Sequence, residues 1–358
     1  MIRELKVDLL YQQLIDAPPP QMGDLYKQAC VGDKVTIDSW RDVWIKNYKD
    51  AKDHFGEFAS KSYGNLYGAS RQKPCIVIGS GPSLKNAIPA LKKNAESENP
   101  VTTISCLHNF GLFEDNGFHA DYYLSLDSGG VVIKDVSESR NNDGGFYWEK
   151  TAGHKLIAYV ASDPRLWGLW KGDLYLFNSL IPDPKLMQEM KAIEHFSHYM
   201  SSGGNAGGAC FYTAKAVLCA DPILFVGVDM CFDYDNTFHS YKTQYDTLGN
   251  YIQWWDVYGM PRKTWNSYLN FKFWFDDRVM KIPGNYINCS EGLLGAYREG
   301  ILRHYKYISL PDALIPYQSN DTLTLEQRDS SSQVESRRDF KVKDYFANSQ
   351  YEHDLTFF

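Results

Sequence analysis

Residues 74–84 read Pro-Cys-Ile-Val-Ile-Gly-Ser-Gly-Pro-Ser-Leu, a pattern that leaves the backbone few options. Cys75, Ile76, Val77 and Ile78 form an uninterrupted apolar run, which suits a strand buried on both faces. A glycine-rich turn follows, and the spacing of Asn86, Ile88, Leu91 and Lys93 predicts a helix opening near Ser83. Gly79 and Gly81 allow the backbone to come close to a ligand, and Pro82 suits the first helical position. Ser83 either caps the helix or bonds a phosphate oxygen, and N–H groups at a helix start favour an anion. The same pattern also fits a turn that binds nothing, so ligand binding stays open on these residues alone.

From residue 74 to about 228 the chain keeps alternating. Strands are predicted at 75–79, 101–106, 121–126, 156–160, 174–177 and 223–227, with helices between them, notably 184–197 and 207–219. This rhythm predicts an α/β fold: a Rossmann-like, mostly parallel sheet with helices on both faces. Ligands in such sheets sit beyond the carboxyl ends of the strands. The residues there are polar: Gly79–Ser83 after the first strand, His108 and Asn109 after the second, and Asp127 with Ser128 after the third. Asp229 follows the last, with Asp233, Asp235 and His239 close behind. Together they suit a phosphorylated ligand. Singly, Asp127 or Asn109 equally suits a helix cap.

A second glycine-rich stretch, Ser201-Ser202-Gly203-Gly204-Asn205-Ala206-Gly207-Gly208, opens the helix before the last core strand. Gly203, Gly204 and Asn205 either grip a base or phosphate or permit tight helix–sheet packing. His195 and His198 share a predicted helix face and have no third ligand nearby, so a polar surface explains them better than a metal.

Three segments flank this core. Residues 1–70 read as a helical N-terminal extension, with one helix around Leu9 and Leu14 and another opening at Ile37 that places Trp40, Val43, Trp44 and Tyr48 on one face. The main domain spans 71–315. Within it, about 230–265 reads as an aromatic-rich lid insertion, followed by a helix to about 281 and a short strand at 286–289. Aromatic residues from Phe232 to Phe275 are too dense for one helix face and suit a pocket lining or a homo-oligomer contact. Residues 316–358 form a polar C-terminal tail or arm.

Composition narrows the function. A net charge of -7 argues against a surface that holds nucleic acid by neutralising phosphates, although a local basic patch is compatible with it. The seven cysteines include no C-x-x-C pair, which points to reduced thiols and a cytoplasmic setting. No apolar run approaches the roughly 18 residues that span a bilayer, and the start of the chain lacks a signal-peptide core, so no membrane partner is expected. Aromatics make up 15% of the chain, with 25 Tyr and 9 Trp; such rings suit sugars or bases.

Five motifs now stand in order: Ile76–Leu84, Asp121–Asp127, Gly203–Gly208, Ile223–Asp229 with His239 behind it, and Ile287-Asn288-Cys289-Ser290-Glu291-Gly292. Across about residues 70–312 the chain resembles the 6-hydroxymethylpterin diphosphokinase MptE-like family, which includes Maf-type flagellin glycosyltransferases and members encoded by bacteriophages. It is more distantly similar to Campylobacter-type sialyltransferases through Gly-x-Gly-Pro-Ser-Leu and the later Gly-x-Asp. The resemblance implies a nucleotide-binding domain that cleaves a phosphate-linked donor. For Maf-like members that donor is a nucleotide sugar, CMP- or UDP-linked here; for the pterin enzyme it is a nucleoside triphosphate with magnesium. It further implies that Gly79, Ser80, Gly81, Pro82 and Ser83 hold the donor, with Asn109 as a further contact, and that Asp229 and His239 match the family's later motif.

Three readings follow. The preferred one is a glycosyltransferase passing a sugar from a nucleotide donor to an unknown acceptor, with His239 as base, because an imidazole titrates near neutrality. Backbone N–H groups at 80–83 would steady the departing phosphate. The second is a pyrophosphokinase using ATP or GTP, with magnesium held among Asp127, Asp229, Asp233 and Asp235; for the last three a hydrated loop is the default explanation. The third is a non-catalytic scaffold that retains the fold, of the kind a phage assembly in a host cytoplasm would use.

Overall fold

The computed structural model describes residues 22–137, 147–181, 183–196, 198–240, 249, 251–297, 300–318 and 339–340. The proposed helix around Leu9, the tip of the lid including Tyr241, and nearly all of the tail lie outside them.

Nine strands form one parallel sheet: β1 (Cys75–Ile78), β2 (Thr102–Cys106), β3 (Tyr122–Ser125), β4 (Lys155–Tyr159), β5 (Asp173–Ser179), β6 (Tyr199–Met200), β7 (Ile223–Val226), β10 (Tyr286–Asn288) and β13 (Tyr305–Tyr307). Their order is β13-β10-β7-β1-β2-β3-β4-β5-β6. Ile76 and Val77 have no exposed surface and Ile78 only 1%, as a central strand covered on both faces requires. The chain walks outward from β1 to β6, then returns to lay β7 against the other side of β1, pairing Ile78 with Val226. Strand order therefore reverses between β1 and β7, the place where open α/β sheets hold ligands.

Helices fill the crossovers: α2 (Leu84–Ala95), α3 (Phe110–Asn116), α4 (Val131–Ser137), α5 (Arg165–Leu169), α6 (Pro184–Ile193) and α7 (Ala206–Tyr212), which continues as a π-helical turn to Val217. Helix α6 ends earlier than its sequence suggests. Glu194 is extended (φ -154°, ψ 128°) because the chain must reach the edge strand β6, so His195 and His198 share no helix face. His198 instead packs against Gly64.

The N-terminal extension is one helix over the described residues, α1 (Met22–Phe55), rather than one opening at Ile37. Tyr48 is fully buried, whereas Trp40 and Val43 are each 37% exposed, so the four aromatic and apolar positions do not form one buried stripe. Asn47 donates to the carbonyls of Ser128, beyond β3, and Ala161, beyond β4; Lys52 pairs with Glu194. The helix thus crosses the carboxyl edge of β3 and β4. The β1, β2 and β7 ends remain outside these contacts. Among the described residues no helix is long and apolar enough to cross a membrane.

The lid segment contains an antiparallel hairpin, β8 (Ile252–Trp255) and β9 (Pro261–Thr264), and α8 (Asn266–Lys281) follows as expected. Residues 286–288 join the main sheet. Beyond them β11 (Ala296–Tyr297), β12 (Gly300–Leu302) and β14 (Asp339–Phe340) form a small second sheet, and α9 (Leu310–Gln318) packs on α2. A buried ionic knot ties α8 to this region. Asp276 accepts from Gly295 N at 2.9 Å, Tyr297 Oη at 2.8 Å and Tyr305 Oη at 3.2 Å, and faces Lys272 Nζ at 2.7 Å. Burial pushes the Lys272 ammonium down to about 8, although Asp276 opposes the shift.

At the opposite, amino edge of the sheet, His119 packs on His154 with ring centroids 4.0 Å apart. His119 Nε2 lies 2.7 Å from Glu114 and Nδ1 lies 2.8 Å from Tyr123 Oη, while Lys150 stands 3.2 Å from Glu114. Phe110 packs edge-on against His154. Burial holds both imidazoles below their usual range, His154 down to about 4. An unfolded histidine takes up its proton near pH 6.5, so the unfolded state binds more protons below that pH and stability falls with acidification. Urea midpoints are therefore expected to drop as pH falls from about 6.5 towards 4, and His154→Phe should remove much of the slope.

Candidate functional site at the strand switch point

Two glycines facing each other build the site. Gly79 N donates to Val226 O and Gly81 N to Gly227 O, both at 2.8 Å. A Cβ on Gly79 would lie 2.4 Å from Gly227 O, and one on Gly227, itself at φ +63°, would lie 2.9 Å from Gly79 O. Only glycines permit the loops after β1 and β7 to approach this closely.

That approach places Asp229 beneath the 79–83 loop. Its carboxylate accepts from Ser83 N and Ser83 Oγ, each at 2.7 Å, and from Glu291 N at 3.3 Å. The residue is 3% exposed; burial raises its pKa while the Ser83 bonds oppose the rise. An internal carboxylate therefore occupies the start of α2, the position expected for a donor phosphate. Ser83 makes no side-chain cap on the helix, which begins at Leu84, two residues past Pro82. We read Asp229 as a strut for the loop rather than as an acid or base, because its oxygens are committed to Ser83 and Glu291.

His239 returns from the lid to the front of the loop. Its Nδ1 lies 3.3 Å from Ser80 O, and Ser240 N donates to the same carbonyl at 2.9 Å. A carbonyl only accepts, so Nδ1 carries the proton and the basic lone pair lies on Nε2. His108, from the end of β2, packs on this ring with centroids 4.5 Å apart. Beside it Asn109 is wholly buried and donates to Gly79 O and Ser105 Oγ, both at 3.0 Å. Its Oδ1 meets no donor among the described residues, an acceptor that a water or a ligand hydroxyl would satisfy.

The second glycine stretch is tightly packed. A Cβ on Gly203 would lie 2.4 Å from the Trp274 ring and one on Gly204 3.2 Å from Phe271, while Asn205 caps α7 through Gly208 N at 2.8 Å. These partners account for both glycines without a ligand. Asp127 is exposed at the end of β3. The four carboxylates suggested for magnesium do not suit a cation. Asp229 is committed as above, and Asp233 accepts from Asp235 N and Thr237 N through Oδ1 and faces Lys85 Nζ at 3.4 Å through Oδ2. Among the described residues no group of three or more His, Cys, Asp and Glu gathers to hold a metal ion.

On the far side of the loop a cleft of about 230 Å³ opens, lined among others by Ser83, Lys85, Asn86, Tyr234, Arg262 and Glu291. Arg262 was not legible as a site residue: it lies 33 positions beyond Asp229, and only the β8–β9 hairpin carries it back.

A parallel α/β sheet with glycine-crossed loops at its switch point defines the doubly wound fold class. The chain belongs to the 6-hydroxymethylpterin diphosphokinase MptE-like family, whose model matches residues 43–235. Its fold is similar to that of the MAf glycosyltransferase from Magnetospirillum magneticum AMB-1, with a TM-score of 0.52 and 17% sequence identity. The match covers 75% of this chain and 38% of that one, so the chain spans well under half of that relative's length. No curated protein matches the sequence.

Proposed function

We propose that the chain is a transferase that moves a sugar from a nucleotide-activated donor, held where β1, β2 and β7 end, to an acceptor hydroxyl. The observation that supports this most is His239, oriented on Ser80 O with its basic nitrogen at Nε2 and backed by His108. In the proposed step Nε2 takes the acceptor's proton and the acceptor oxygen bonds to the anomeric carbon. The bond from that carbon to the phosphate oxygen breaks, and the phosphate leaves with the electron pair. The glycine loop lets the donor approach the backbone, the Asn109 acceptor faces the same strand ends, and Asp229 holds the loop still. The likeness to a MAf glycosyltransferase supports the fold such a reaction uses.

The family's own description, a diphosphokinase, supports a second reading, pyrophosphoryl transfer from ATP or GTP. For this reading the carboxylate to test is Asp233, which faces Lys85 Nζ at 3.4 Å.

A thermal-shift panel of CMP, UMP, UDP, GDP and ATP, each with and without magnesium, separates the readings. A ligand at about a hundred times its Kd is expected to raise Tm by about 3 to 5 °C. A metal-independent shift with CMP, UMP or a diphosphate supports sugar transfer. A shift only with ATP and magnesium replaces it by the second reading, and no shift with any nucleotide overturns both in favour of a scaffold.

A further inference from the structure

The cleft behind the loop has a chemistry of its own. Tyr234 is 68% exposed, and Arg262 lies over its ring with the guanidinium carbon 3.8 Å from the centroid. Arg262 is held from behind: Nε donates at 2.9 Å to Asp256, whose side chain is wholly buried and also accepts from Tyr258 N and Met260 N in the hairpin turn. The Arg262 side chain is 12% exposed, yet its two terminal nitrogens donate to no described residue. Four N–H donors on a fixed, nearly buried fork thus remain beside a cleft.

Around that fork, donors and acceptors alternate. Lys85 and Asn86 project from the first turn of α2, with Asn86 Nδ2 3.2 Å from Glu291 Oε1 and Lys85 facing Asp233. An anion would meet the carboxylates of Asp233 and Glu291, and a cation would meet Lys85 and Arg262. A ring carrying several hydroxyls matches both sets, because each hydroxyl donates and accepts, and its C–H face can lie on an aromatic ring. At about 30 Å³ per water, about 230 Å³ holds about eight waters, room enough for one substituted six-membered ring.

We infer that this cleft is a second ligand site, separate from the His239 face, that binds one polyhydroxylated ring such as a monosaccharide unit. Tyr234 supplies the platform, and Arg262, Asn86 and Glu291 supply the polar recognition. The site does not depend on the nucleotide reading; the two share only the 79–83 loop and Asp229.

Saturation-transfer NMR on the full chain tests it, using methyl glycosides of glucose, galactose, mannose, fucose, N-acetylglucosamine and N-acetylgalactosamine at millimolar concentration. Inorganic phosphate and choline serve as the anion and cation probes, read by competition and by thermal shift. At least one glycoside is expected to receive saturation. The signal should fall at least about tenfold in Tyr234→Ala and in Arg262→Gln, and persist in His239→Ala. The nucleotide-induced rise in Tm, measured on the same samples, should survive Tyr234→Ala, and that rise rather than the NMR signal decides the nucleotide reading. Signal in none of the six glycosides, signal undiminished in both cleft variants, or phosphate or choline binding that those variants abolish would each overturn the assignment.

Discussion

His239→Ala is expected to lower turnover of the nucleotide donor by about 10² to 10⁴-fold while leaving nucleotide binding in place. The ring stands in front of the loop, not inside it. Its bond to Ser80 O is long at 3.3 Å, and Ser240 N already serves that carbonyl at 2.9 Å, so the loop keeps its partner when the imidazole is gone. The loss should therefore appear in kcat with little change in the nucleotide's thermal shift. The acid limb of the pH–rate profile should also disappear, a change that a purely structural histidine would not produce. Turnover within a few-fold of wild type would remove His239 from the chemistry and leave it as a packing partner of His108 and Phe238.

The second large effect is on stability. Gly79→Ala puts a methyl 2.4 Å from Gly227 O. The obstacle is backbone at the heart of the sheet, which cannot rotate away as a side chain would. We expect a loss of about 3 kcal/mol or more, read from denaturant midpoints, together with loss of any nucleotide-induced Tm rise, because the β1 and β7 loops can no longer cross. Gly168→Ala is the matched control. A Cβ there meets nothing within 4 Å, and Gly168 is the penultimate residue of the short helix α5, so the change should stabilise by roughly 0.5–1 kcal/mol. Equal behaviour of the two variants would refute the crossed-glycine account.

The difference between these two glycines shows where sequence reading succeeds. β1 was legible because Ile76–Ile78 is apolar without alternation and a turn follows, and β2, β3, β4, β5, β7 and β10 were legible within one or two residues; the short edge strands β6 and β13 carry no such apolar run and were missed. The sequence placed Gly79, Asp229 and His239 beyond strand ends, but only the sheet order, with β7 beside β1, brings them to one switch point. The roles within the site were less visible. Ser83 and Asp229 each suit a ligand when read singly, and only their mutual distance shows that they satisfy one another. Gly203 and Gly204 looked like a second phosphate loop, yet Trp274 and Phe271, some 70 positions later, fill the space beside them. Arg262 carries no local signal, since its position depends on the β8–β9 hairpin, outside the alternating core.

Ser83 and Asp229 lie 146 positions apart, and this separation has a consequence for synthesis. At about 5–20 residues per second, roughly 7 to 30 s pass between the emergence of the two partners. Through that interval β1 has its β2 neighbour but a bare outer edge, the kind of surface that recruits stray strands. The 79–83 loop stays unset until β7 docks and brings Asp229 with it. A nascent or truncated chain lacking residue 229 thus lacks the carboxylate that fastens Ser83, and the finished loop marks closure of the central sheet.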